Sequence, residues 1–150
     1  MGIATGKWER HECRSENGIL YATGLFVPLV GSPEFGYQSG PPETLSSLLS
    51  RRAGEWIEVD TLCRSLEPGS GVVVEAGGGF FEGEGFVAVA GPPGGGLIWV
   101  LHLSNSEAFT AVAVDGSEIV AVAEEYPSRN EFRIPLREPH LLYVRSTRHL

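Results

Sequence analysis

The sequence predicts a mainly β, α+β fold: an antiparallel β-meander forming a sandwich or partly open barrel, with one short helix, in a single domain over residues 1–150. Three observations carry this. Short runs rich in Val, Ile, Phe and Trp recur along the second half, each bounded by Gly, Pro, Asn or Asp. Only one segment repeats its apolar residues at helical spacing. The chain is 42% hydrophobic, with 20 Gly and 10 Pro, which supplies a core and many turns.

Residues 7–14 and 19–27 read as the first two strands. Between them lies Ser15-Glu16-Asn17-Gly18, and Asn-Gly tolerates the positive φ of a type I′ turn, so the two are predicted to form a hairpin. Residues 31–42 collect Gly, Ser and Pro and read as a long loop, with Phe35 and Tyr37 expected to pack back on the body. The helix is predicted from Glu43 or Thr44 to Ala53. Leu45, Leu48 and Leu49 form its apolar face, Pro42 can begin it, and Arg51-Arg52 before Gly54 suit its C-terminus.

Trp56, Ile57, Val59 and Leu62 read as the next strand, followed by a turn at Glu67-Pro68-Gly69-Ser70-Gly71 and a strand at 72–74. Later strands are expected at 86–90, 97–103, 109–114, 118–123, 131–135 and 141–145, with a second hairpin turn at Asp115-Gly116. The 97–103 strand is apolar on both alternating faces apart from His102, which is the pattern of a strand buried on two sides. The strands at 109–114 and 119–123 alternate large with small side chains, and a face of Ala suits close packing under the helix.

The formal net charge is -8, from 17 Glu and 2 Asp against 10 Arg and 1 Lys. That balance disfavours nucleic acid or an anionic membrane as partner and permits a basic protein. Cys13 and Cys63 form no CxxC pair and no clustered His completes a zinc site, so neither a metal nor another cofactor is predicted. The N-terminus lacks the apolar core of a signal peptide, and no segment has the length of a membrane span. A cytoplasmic location with reduced cysteines is therefore expected.

The most unusual stretch is Gly77-Gly78-Gly79-Phe80-Phe81-Glu82-Gly83-Glu84-Gly85. It lacks the Lys and Ser/Thr of a P-loop, precedes a strand rather than a helix, and carries two carboxylates that would repel phosphate. It reads as a wide connection. As a contact loop, Phe80 and Phe81 would anchor a partner while Glu82 and Glu84 pair with its basic groups. Two residues apart on one loop, Glu82 and Glu84 are expected to be exposed and are badly placed to flank a bond as a catalytic dyad. Glu124, Glu125 and Tyr126 extend the acidic theme at a strand end, and a shared side with the Gly-rich loop would make one acidic patch with aromatic relief. His11, His102, His140 and His149 show no HExxH spacing, and no GxSxG elbow is present. His102 is expected to make a structural hydrogen bond. No catalytic residue is assigned.

The order of three pieces resembles small bacterial immunity proteins of secreted or contact-delivered toxin systems. These are Ala76 through Val89, then Leu97-Ile98-Trp99-Val100-Leu101-His102-Leu103-Ser104-Asn105, then Asn130 through Pro139. The family pattern has Ser-Asn-Pro-Phe where the second piece ends in Ser104-Asn105. Here Ser106-Glu107-Ala108-Phe109 brings the aromatic two residues later, which implies a longer turn. The resemblance implies a non-catalytic protein that masks a cognate toxin, with no cofactor and with contact residues particular to each pair. Two further readings stand beside it: a small-molecule-binding β-barrel or sandwich with a pocket lined by residues such as Trp56, Trp99 and Phe86, and an enzyme whose site is assembled from distant positions.

Overall fold

In the computed structural model, residues 2–51, 56–79, 84–92, 95–125 and 127–148 are described. The chain starts with a helix, α1 (Ile3–Glu9), where a strand was expected from residue 7. Ala4 is buried, and the Trp8 ring meets Phe86 at a centroid distance of 5.6 Å. Tertiary burial thus overrides the local preference of a segment too short to decide for itself. His11, in the left-handed region at φ 55°, turns the chain into the short β1 (Glu12–Arg14).

β2 (Gly18–Tyr21) does not pair with β1, which corrects the expected first hairpin. β1 pairs with β6 (Trp56–Leu66), whereas β2 lies between β3 (Leu25–Ser32) and β9 (Leu97–Leu103). Asn17 is engaged elsewhere: its side-chain oxygen accepts from the Ser104 N–H at 2.6 Å and its carbonyl from the Leu29 N–H at 3.0 Å. Gly18 is demanded by space, since a Cβ there would lie 2.5 Å from the Phe26 ring and 2.6 Å from the Val27 carbonyl oxygen.

The expected loop over 31–42 is mostly a hairpin. β3 folds back into β4 (Gly36–Ser39), with Gly36 at φ 84°, and β5 (Glu43–Thr44) pairs with β3. Tyr37 packs inward as expected, but Phe35 at the tip is 85% exposed, which corrects its half of that expectation. α2 (Leu45–Arg51) starts after β5, where the Thr44 hydroxyl accepts from the Ser47 N–H at 3.1 Å and caps it.

β7 (Val73–Gly79) and β8 (Gly85–Ala90) complete a nine-stranded antiparallel sheet in the order β1-β6-β7-β8-β9-β2-β3-β4, with β5 beside β3. Residues 77–79, expected in a loop, therefore belong to a strand. A four-stranded meander follows: β10 (Phe109–Asp115), β11 (Glu118–Glu125), β12 (Ser128–Pro135) and β13 (Tyr143–Arg148). The β10–β11 hairpin forms where Asp115-Gly116 marked it, Gly116 at φ 64° opening the two-residue loop.

These elements make three layers. Phe86, Ala88 and Val100 of the large sheet pack against Ala4, Leu45 and Leu48 of the helices. On its opposite face Val87, Val89, Leu101 and Leu103 meet Ile119, Phe132 and Ile134 of the small sheet. β9 is thus buried on two sides, as its unbroken apolar run predicted. The Ala faces are placed differently from expectation. Ala121 and Ala123 pack against the large sheet, Ala111 and Ala113 face solvent, and the helices lie across the other face of the large sheet. The sheets stay open as a sandwich.

Candidate functional site

Because the strands alternate in direction, their registers place several turns at one end. Gly85 pairs with Leu103, so the ends of β7 and β8 that flank residues 80–83 lie beside the β9–β10 turn. Phe109 pairs with Ala123, which brings Glu124 to the same end, and Gly18 sits between His102 and Pro28, which places the β3–β4 tip there too. The end is cross-braced by Asn105. Its Oδ1 accepts from the Tyr37 hydroxyl at 2.9 Å and its Nδ2 donates to the Gly31 carbonyl at 2.7 Å. Burial raises the Tyr37 pKa, which keeps that hydroxyl a donor.

Glu34 and Glu124 are exposed here and Glu107 is half-buried, with the exposed Phe35 beside Glu34 and Val30, 72% exposed, on the strand leading to it. Arg129 Nε lies 3.6 Å from Glu124. A recess of about 640 Å³ lies between the hairpin tip, which lines it with Ser32, Pro33 and Glu34, and the neutral hydrogen-bonding side chains of Asn105, Ser128, Asn130, Ser146 and Thr147. The side chains of Phe80, Phe81, Glu82, Glu125 and Tyr126 lie outside the described residues, although the described ends on both sides of these segments share this end. The β3–β4 tip was missed from sequence as a site. Its signal was the exposed-type sequence Pro33-Glu34-Phe35-Gly36 between two glycine-marked strand ends.

Glu84 does not join that surface, which corrects its expected exposure. Its side chain is 14% exposed, and Oε1 approaches Nε2 of the buried His102 at 3.6 Å. His102 Nδ1 stands 3.2 Å from the Glu16 carbonyl oxygen and must donate to it, since a carbonyl only accepts. The Glu16 carboxylate accepts from Arg14 Nε and Nη2, both at 2.8 Å, and the Arg14 guanidinium lies 5.0 Å from the Trp56 ring centroid. Burial lowers the His102 pKa against the opposing pull of the Glu16 carbonyl and the Glu84 charge. Burial first, then Glu84 and Glu16, push the Cys13 thiol far up, so it stays protonated and is no nucleophile. The structural hydrogen bond expected of His102 is present.

Two other places bear on the alternative readings. A recess of about 360 Å³ holds Glu9, His11, Glu58 and Asp60, where His11 stacks on Trp8 at 5.5 Å. Among the described residues, no group of three or more His, Cys, Asp or Glu is placed to hold a metal ion. Trp56, Trp99 and Phe86 line no common pocket: Phe86 and Trp56 belong to the helix side of the large sheet and Trp99 to the side facing the small sheet. No helix among the described residues is long and apolar enough to cross a membrane. No protein-family model matches the chain, and no curated protein or solved structure is significantly similar to it.

Proposed function

We propose that this chain is a non-catalytic, cytoplasmic protein-binding domain, an immunity-type inhibitor that masks a basic toxin domain with its turn-bearing end. The observation that carries the reading is the convergence of Glu34, Phe35, Glu107 and Glu124 at one end of an acidic chain of net charge -8. An exposed aromatic that shares an end with three carboxylates suits a basic partner. The charges steer encounter, and the ring supplies the apolar anchor around which an interface desolvates. The neutral Ser, Asn and Thr side chains of the neighbouring recess can bond the main chain of an inserted loop. The internal cluster of Arg14, Glu16, Glu84 and His102 is withdrawn from this surface and braces the strands beneath it.

The test is affinity capture on the tagged chain from its native lysate, followed by titration of the captured toxin domain. Stoichiometric capture of one basic toxin domain, with affinity falling about tenfold or more in both Phe35→Ser and Glu124→Lys, supports the reading. Capture of no such domain, or binding indifferent to both substitutions, rejects it.

A further inference from the structure

The opposite end of the sandwich carries a second site. There the mouth between the two sheets opens into a recess of about 370 Å³ whose walls are Tyr21, Val72, Val89, Trp99 and Leu136. Its floor is deep in the protein, since Trp99 and Val89 are each only 2% exposed, while Ile98 at the lip is 42% exposed. The Trp99 indole N–H is already committed, donating to the Leu136 carbonyl oxygen at 3.1 Å. The indole N–H is therefore not available to an occupant, whose accessible apolar contacts are Tyr21, Val72, Ile98 and Leu136 above the buried Trp99 floor. A concave apolar recess of this size at the mouth of a β-sandwich, with few polar groups at its rim, is the form small-molecule sites take.

The rim selects the chemistry. Arg137 lines the recess, is exposed, and makes none of the ion pairs among the described residues. Its near neighbour Arg133, by contrast, is held by Asp115, Glu118 and Glu131. Tyr21 contributes a phenol that burial, and then the charge of Glu138, keep protonated and so able to donate. Ser70 adds a hydroxyl. A guanidinium, a phenol and a hydroxyl suit one carboxylate, and the nearby Glu138 charge disfavours a dianion such as a phosphate monoester.

We propose that this mouth binds a small monocarboxylate with an apolar body, the body against Tyr21, Val72, Ile98 and Leu136 over the Trp99 floor and the carboxylate at Arg137. The site is remote from the acidic end and does not depend on the partner-binding reading.

Indole-3-acetate and its neutral amide, indole-3-acetamide, are the probes, titrated by calorimetry and followed at the Trp99 indole NH resonance. Saturable binding is expected, with the acetate about fivefold tighter than the amide. Arg137→Gln, a surface change, is expected to make the two probes equal. Val72→Trp, which fills the recess from its half-buried wall, is expected to abolish both, while Phe35→Ser at the other end changes neither. Absence of saturable binding of both probes overturns the site. Equal binding of the two by the unaltered protein overturns the assigned carboxylate chemistry.

Discussion

The Tyr37 hydroxyl donates to Oδ1 of Asn105 at 2.9 Å, joining the β3–β4 hairpin to the β9–β10 turn across 68 positions of sequence. Asn105 returns a second bond to the Gly31 carbonyl at 2.7 Å, so one side chain holds both strands of the hairpin. Tyr37→Phe keeps the ring packed near Phe132, where the centroids are 6.3 Å apart, and removes only the donor. Water can reach the vacated oxygen of the exposed Asn105, so the loss is expected near 1 kcal/mol rather than the larger cost of a sealed orphan. Urea unfolding measures the stability. Hydrogen exchange is expected to rise first in residues 29–39.

His102 gives the fold an acid-sensitive point. Burial lowers its folded pKa below the ordinary 6.5, so between those two values the unfolded chain holds more protons than the folded one. Stability therefore rises with pH across that window and is lost as pH falls from 6.5 towards the folded value. The groups facing the ring are the Glu84 carboxylate and the Glu16 carbonyl, with the Arg14–Glu16 ion pair behind them. His102→Gln can still donate to the Glu16 carbonyl but does not titrate. Urea midpoints compared at pH 7.5 and 5.5 should fall further in the parent protein than in H102Q; equal losses would refute the assignment.

The two thiols are expected to differ in reactivity. Cys13 is buried, and its thiol is held protonated by burial and by Glu84 and Glu16. Cys63 is half-buried, its Sγ 3.6 Å from the Ala76 carbonyl oxygen and 3.7 Å from that of Phe109. Its pKa is raised by burial alone. With an aromatic disulfide reagent at pH 8, Cys63 should react slowly in the native protein and Cys13 only on unfolding. C63S should leave no titratable thiol until denaturant is added.

What was legible in the sequence was whatever a side-chain pattern alone decides. The unbroken apolar run Leu97–Leu103 announced a strand covered on both faces, and Asp115-Gly116 marked a real hairpin. In the first forty residues element type and strand pairing depart from the pattern because tertiary contacts choose among weak local preferences. Trp8 serves a helix because Phe86 lies beneath it, and Gly18 serves a close strand crossing rather than an Asn-Gly turn. The shared end of Glu34, Phe35 and Glu124 depends on sheet order, which no local pattern encodes. Glu84 looked exposed because its burial depends on His102, in the neighbouring strand.

The run Gly77-Gly78-Gly79 tests why glycine stands where it does. In isolation it resembles a flexible anion-binding loop, yet each position lies in β7 under a close neighbour. A Cβ at Gly77 would sit 2.0 Å from the Asp60 carbonyl oxygen, and one at Gly78 would sit 2.6 Å from Ala108 Cβ and 2.9 Å from the Glu84 carbonyl oxygen. At Gly77 the obstacle is the backbone of β6 beside its register shift, between Thr61 and Cys63, so no rotamer can relieve the clash. Gly77→Ala is therefore expected to separate β6 from β7 and cost about 1–3 kcal/mol or more, on the scale of overpacking a core. Gly6 is the internal control. It lies within α1, nothing stands within 4 Å of a Cβ there, and Gly6→Ala should stabilise the protein by about 0.5–1 kcal/mol. Opposite signs for the two substitutions in urea unfolding are the expected result. A G77A protein as stable as the parent would show that β6 and β7 do not approach as closely as the register requires.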